Sequence, residues 1–218
     1  MKQKTLFIAA LVGLLLVFSF ATLFYTAQKE DQASQFAESN QAALVRMHSP
    51  TLGPSAAPVV IVEFIDPACE TCAAFYPRIK QMLAAHPDRI RLVLRYAPFH
   101  PGSDKVVAVL EAARKQGKLW PALEALLNSQ DGWTQHHAAQ VERVWQHLEG
   151  LGLNLEQLRA DMAAPEIAAL IAQDIEDART LNVTQTPEFF VNGKPLPSFG
   201  YEQLQTLVDD ALSAAQQK

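Results

Sequence analysis

Val59-Val60-Ile61-Val62-Glu63-Phe64-Ile65-Asp66-Pro67-Ala68-Cys69-Glu70-Thr71-Cys72 is the stretch on which the fold turns. Its first seven residues follow Pro58 and are β-branched or aromatic apart from one glutamate, so they read as a buried strand of a sheet. Downstream the period changes. Phe75, Ile79, Met82 and Leu83 recur at helical spacing, and an apolar stripe faces a core from about Cys72 to His86, where His86-Pro87 ends the helix. Cys69 therefore lies at a helix N-terminus. There the free backbone N–H groups and the positive end of the macrodipole favour the thiolate and lower its pKa below the ordinary value of about 8.5. Cys69 is the candidate nucleophile, and Cys72, one turn in and more enclosed, is the candidate resolving thiol with the higher pKa.

These are the only two cysteines in 218 residues. A C-x-x-C pair is also half of a four-ligand zinc site, but there is no second pair and the six histidines are scattered. His136-His137 followed by His147 can be drawn as a metal cluster, yet adjacent histidines on a helix point in different directions. No metal ligand and no cofactor is assigned. A purely structural disulfide is the other reading, and it would close a four-residue ring and remove little chain entropy. A redox-active dithiol accounts better for the pair.

Several separate segments resemble the DsbA family, the thioredoxin-fold thiol–disulfide oxidoreductases of the bacterial periplasm, over about Ser49 to the C-terminus. They are Leu52-Gly53-Pro54-Ser55-Ala56-Ala57-Pro58, the strand ending Glu63-Phe64-Ile65-Asp66-Pro67-Ala68-Cys69, Pro77 five residues after Cys72, Arg95-Tyr96-Ala97-Pro98-Phe99-His100-Pro101, and Gln116-Gly117-Lys118-Leu119-Trp120. The most specific is Thr186-Pro187-Glu188-Phe189-Phe190-Val191-Asn192-Gly193, which is similar to the family's cis-proline loop and the strand and turn after it. The resemblance implies that Pro187 is cis and faces the dithiol, and that the backbone of Thr186 pairs with substrate beside Glu70 and Thr71. It also implies that Glu63 is a buried acid beneath the active site, able to accept the Cys72 proton. Read as part of an alternating strand, Glu63 faces outward instead, and both readings stand. From the residues alone, Phe189-Phe190-Val191 is strand-like, Asn192-Gly193 is a hairpin turn, and Lys194 to Gly200 returns as an edge strand that tolerates proline.

Residues from about 103 to 179 carry almost no strand signal. Val106, Val109, Leu110 and Ala113 make one helical stripe, Leu119, Leu123, Leu126 and Leu127 a second, and Val141, Val144, Trp145 and Leu148 a third. Asn154 caps a helix through Met162, Pro165 opens another reaching Leu181, and Tyr201 to Gln216 forms a closing helix. The expected class is α/β: a thioredoxin fold over residues 49–218 with an inserted helical subdomain.

Ahead of it, Lys2 and Lys4 precede Leu6 to Ala27, 22 residues without a charge. At about 1.5 Å per residue this helix crosses a hydrocarbon core of about 30 Å. Export signals have apolar cores of about 7–15 residues and small residues at −3 and −1, whereas cleavage after Ala27 would put Tyr25 at −3. Residues 1–27 are thus expected to be an uncleaved signal anchor, with a removed signal peptide as the alternative. The amino-terminal lysines place the domain on the periplasmic face of the bacterial inner membrane; cleavage would leave it soluble in the periplasm. Residues 28–48 are polar, with Phe36, Ala43, Leu44 and Met47 at near-helical spacing, and are expected to be a solvated tether, with a stalk or oligomerising helix as the alternative.

A net charge of −5 and the absence of a basic patch give no reason to expect a nucleic-acid partner. The expected function is disulfide exchange with exported cysteine-containing proteins, recycled by a membrane redox partner of the DsbB or DsbD type. The rival is a non-enzymatic chaperone or redox-sensing binding module. Direction stays open among oxidation, isomerisation and reduction. Strong oxidants of the family carry a histidine between the cysteines, whereas Glu70-Thr71 with Asp66 close by adds negative charge that opposes a thiolate, and Thr186 resembles isomerase and reductase relatives.

Overall fold

The computed structural model describes residues 2–216. The chain runs α1 (Lys2–Leu44), β1 (Thr51–Leu52), β2 (Val59–Ile65), α2 (Glu70–Ala85), β3 (Ile90–Tyr96), α3 (Ser103–Lys115), α4 (Leu119–Asn128), α5 (Gln130–Trp133), β4 (Thr134–Gln135), β5 (Ala138–Ala139), α6 (Val141–Val144), a 3₁₀ turn at Trp145–His147, α7 (Leu155–Met162), α8 (Pro165–Thr180), β6 (Glu188–Val191), β7 (Lys194–Pro195) and α9 (Tyr201–Ala214).

The apolar run Val59–Ile65 becomes the centre of a mixed five-stranded sheet, in the order β1-β3-β2-β6-β7. It pairs in parallel with β3 and antiparallel with β6, Ile61 opposite Val191 and Phe64 opposite Glu188. A strand covered on both faces has no need to alternate, which is why its sequence is nearly all apolar. On one face Val59, Ile61, Phe189 and Val191 meet Ile79 and Met82 of α2 and Leu204, Val208 and Leu212 of α9. On the other, Val62, Phe64, Val93 and Phe190 meet Ala178, Leu181 and Val183 around the end of α8, and Ala43 and Leu44 of α1. Each such large side chain, fully buried, contributes roughly 1.5–3 kcal/mol. The helical insertion packs its own core, including Leu110, Leu123, Leu126, Trp133, Val144 and Leu158, against Ile65, Leu94 and Tyr96 at the end of the sheet where β2 delivers Cys69.

The caps read from sequence are in place. The Asn154 side chain accepts a hydrogen bond from the Gln157 N–H at 3.0 Å, and Pro165 opens α8. The edge strand after Asn192-Gly193 is only Lys194–Pro195, since the prolines at 195 and 197 remove the donors a longer strand needs.

Two expectations are corrected. His136 and His137 are not helical; both have positive φ, 52° and 59°, in the two-residue turn joining β4 to β5. A small hairpin thus sits inside the helical insertion, its strands too short to leave a periodic signal. Residues 28–48 are solvated only in part, exposed over 28–32 and packed on the domain from Phe36 onward. α1 continues unbroken to Leu44, Phe36 stacks on Phe190 with ring centroids 6.1 Å apart, and Ala43 and Leu44 are buried.

Beyond α1 the junction is locked by charge. Arg46 forks onto Asp177 at 2.8 and 2.6 Å, and His48 Nε2 lies 2.8 Å from Asp174. The fully buried Arg95 donates to Asp174 at 2.8 Å, to Asp177 at 2.6 Å and to the Ala43 carbonyl near the end of α1. Residues 11–30, by contrast, are exposed throughout, and this part of α1 is long and apolar enough to cross a membrane.

Candidate active site

Cys69 caps the N-terminus of α2, with extended φ and ψ of −82° and 118°. The tight Asp66–Cys69 turn, closed by Cys69 N–H donating to the Asp66 carbonyl at 3.0 Å, carries the chain from strand to helix. Both cysteines are reduced; Cys69 is 6% exposed and Cys72 fully buried. The Cys69 Sγ donates to the Thr186 carbonyl at 3.2 Å, and the Thr186–Pro187 bond is cis. Antiparallel pairing of β6 with β2 brings that loop to the dithiol.

The two sulfurs differ in environment. The adjacent Cys72 thiol, together with the backbone N–H groups of Cys72 and Thr71, stabilises the Cys69 thiolate and lowers its pKa to about 5, against an opposing push from burial. Burial first, then the bond to Cys69 and its charge, hold Cys72 well above the ordinary thiol value. One sulfur is therefore poised as nucleophile and the other as a thiol that needs a base.

Glu63 faces inward. It is fully buried, neither carboxylate oxygen has a hydrogen-bond partner among the described residues, and burial followed by the Cys69 charge pushes its pKa up to about 8. A buried carboxyl without partners is normally too costly to keep. Its charge bears on both cysteines.

Glu70 and Thr71 are exposed on the rim, and Glu70 lies 3.8 Å from His137. Glu70 is not among the main groups that set the Cys69 pKa, so the negative charge read as opposing the thiolate is outweighed by the local donors. Asp66 is likewise engaged elsewhere. It accepts from the Ala68 N–H at 2.8 Å, the His100 N–H at 2.8 Å and the Ser103 hydroxyl, with His100 Nδ1 at 2.7 Å. The His100 ring is 6.3 Å from that of His137, so the two histidines stand together beside Asp66 and Glu70, the residues on either side of Cys69 in the motif. Neither could be placed there from sequence, because no histidine lies next to the motif along the chain.

Comparison with known proteins agrees with this geometry. The Thioredoxin family profile matches residues 46–210. A solved thioredoxin-like oxidoreductase from Silicibacter pomeroyi is 33% identical, covering 81% of this chain and 98% of that one, with a TM-score of 0.67. The thiol-disulfide exchange protein alpha-DsbA2 of Wolbachia pipientis, 20% identical, covers 84% of this chain and 97% of its own with a TM-score of 0.70. Among curated relatives, the Na(+)/H(+) antiporter NhaA of Herminiimonas arsenicoxydans is 29% identical over 194 residues, 86% of this chain. The chain spans only 30% of that antiporter's length, so the likeness is to one part of a longer protein.

Proposed function

From the premise that this chain belongs to the thioredoxin family and has a DsbA-like fold, we propose that it is a thiol–disulfide oxidoreductase, in which Cys69 exchanges disulfides with exported cysteine-containing proteins and Cys72 resolves the intermediate. The observation that carries the reading is the 3.2 Å contact between Cys69 Sγ and the Thr186 carbonyl, which joins the low-pKa sulfur to the loop at Pro187.

In the reduced protein the Cys69 thiolate attacks one sulfur of a substrate disulfide, and the other substrate sulfur leaves as a thiolate. Substrate backbone pairs with the extended edge at Thr186, and Glu70 and Thr71 line the rim it crosses. In the mixed disulfide the Cys69 charge that helps keep Glu63 protonated is gone, and the ionised form of Glu63 accepts the Cys72 proton as Cys72 attacks Cys69 Sγ. The first substrate sulfur departs, the Cys69–Cys72 disulfide forms, and two electrons have passed to the substrate. Run backward, the same steps oxidise a substrate dithiol, with Glu63 returning the proton to the departing Cys72. The potential of the partner sets the net direction.

Residues 6–27 act as a retained anchor in the bacterial inner membrane, with the domain in the periplasm. A membrane redox protein of the DsbB or DsbD type returns the dithiol to its working state. What supports this is the length of the apolar helix and the poor cleavage site around Ala27.

Catalysed reduction of insulin and refolding of a scrambled disulfide protein test the chemistry. The enzyme accelerates at least one of these, and a binding module accelerates neither. Alkaline carbonate extraction with N-terminal sequencing tests the anchor: the intact chain should stay in the membrane, and a soluble chain beginning near Gln28 would contradict it.

A further inference from the structure

The two ends of the central sheet differ in what they carry. β2 delivers Cys69 at one end, beside Thr186. The Asn192–Gly193 turn lies at the other, where the Asn192 N–H donates to the Val60 carbonyl at 2.8 Å. α1 meets the domain at that remote end. A Cβ built on Gly193 would sit 2.5 Å from Ala37 Cβ, so the glycine is what allows the helix to approach, and α1 also packs against β7.

From there α1 crosses the sheet towards the dithiol end. Leu44 joins Val62 and Val93, and Ala43 offers its carbonyl to Arg95 near the end of β3. Pro50 then accepts from Leu94, and β1 turns back antiparallel to β3, with Thr51 opposite Val93. Traced backward, α1 thus leaves the domain at the edge and end that the dithiol does not occupy. The packed helix is held at both ends, at its exit by Phe36 stacked on Phe190 and Ala37 against Gly193, and beyond Leu44 by the Arg46, His48, Arg95, Asp174 and Asp177 lock, in which Arg95 and Asp174 are wholly buried, so it is not a hinge.

We propose that α1 is a rigid mast that holds Cys69 on the side of the domain turned away from the bilayer, so that its redox partner reaches it with an extramembrane thiol domain and not with a thiol at the membrane surface. This rests on the reading of residues 6–27 as a retained anchor. About nine residues of helix, roughly 14 Å, separate Ala27 from the first packed residue, Phe36. The sheet adds much of the roughly 20 Å length of β2 before Cys69 is reached.

The full-length protein in vesicles containing a maleimide-headgroup phosphatidylethanolamine provides the test. One form carries Cys72→Ala, leaving Cys69 as the sole thiol; the other carries Cys69→Ala, Cys72→Ala and Lys194→Cys, with its thiol at the remote end. Each rate is divided by that of the same protein with a soluble maleimide. The lipid-bound reagent should favour position 194 over Cys69 by at least about tenfold, because a short tether that cannot span the gap gives almost no effective concentration. Equal rates, or a preference for Cys69, in protein that resists carbonate extraction would overturn the orientation alone. A flexible six-residue Gly-Ser insertion after Glu30 should erase the difference, and its persistence would overturn the rigid mast. Release of the protein by carbonate would instead overturn the anchor, a separate failure.

Discussion

Cys69 Sγ and the Thr186 carbonyl oxygen, 117 residues apart in the chain, lie 3.2 Å from each other. The contact places the sulfur where an extended substrate pairing with Thr186 would present its own cysteine. Attack is then a matter of orientation more than of diffusion.

The first prediction concerns that sulfur. Its pKa of about 5 sets the midpoint for the pH dependence of Cys69 alkylation in the reduced protein, far below an ordinary thiol. Removing its first stabilising partner by Cys72→Ala should move the midpoint up by about one unit or more. Glu70→Gln should leave it nearly unchanged, since the exposed Glu70 is not among the main groups that set it. Iodoacetamide kinetics from pH 4 to 9 check all three.

Glu63 supplies the second. Its carboxyl holds a proton in the folded protein up to about pH 8, whereas in the unfolded chain the proton is lost near 4.5. A raised carboxyl pKa means that unfolding releases a proton between those values, so this group lowers stability as pH rises through the window. Cys69 works the other way in the reduced protein, where its depressed pKa adds stability above about pH 5 and loses it as pH falls. The comparison therefore belongs in the oxidised protein, where neither sulfur titrates and burial of Glu63 remains. Glu63→Gln should flatten the fall in stability from pH 5 to 8 in denaturant titrations, and slow resolution of a mixed disulfide by about 10²-fold.

The ionic lock gives the third. Asp174→Ala leaves buried Arg95 short of a partner and strands the Tyr96 N–H, which donates to Asp174 at 2.9 Å. A loss of about 3–5 kcal/mol is expected by chemical denaturation. Glu166→Ala breaks only an exposed pair with Lys115, screened by solvent, and should leave the denaturation midpoint nearly unchanged.

At Gly193 the backbone is left-handed, with φ +82°, and Ala37 leaves no room for a side chain. Gly193→Ala should destabilise by about 1–3 kcal/mol and loosen α1 from the sheet. Faster tryptic cleavage at Arg46, with the rest of the domain still resistant, is the readout.

Much of this was legible in the chain because the decisive signals are local. The run Val59–Ile65, the change of period after Cys72, Asn154 as a cap and Pro165 as a helix opener each declare themselves within a few residues. The dithiol needs only its position at a helix start. What escaped depends on distance in sequence. His100 and His137 reach the site through Asp66 and through a hairpin of two-residue strands, too short for any periodicity. Residues 28–44 look like a solvated segment because their polar face dominates. Only the partners Phe190, Arg95 and Asp177, far along the chain, make the other face a docking surface. Glu63 is ambiguous in a strand read alone, and it is settled inward by α2 covering that face.

The measurement closest to the central claim is trapping in cells. Cys72→Ala should accumulate mixed disulfides with exported proteins through Cys69, visible as adducts that collapse on reduction, while Cys69→Ala should trap none. Equal trapping by Cys69→Ala, or no adduct from either variant, would contradict the assignment of Cys69 as the attacking sulfur of a thiol–disulfide exchange enzyme.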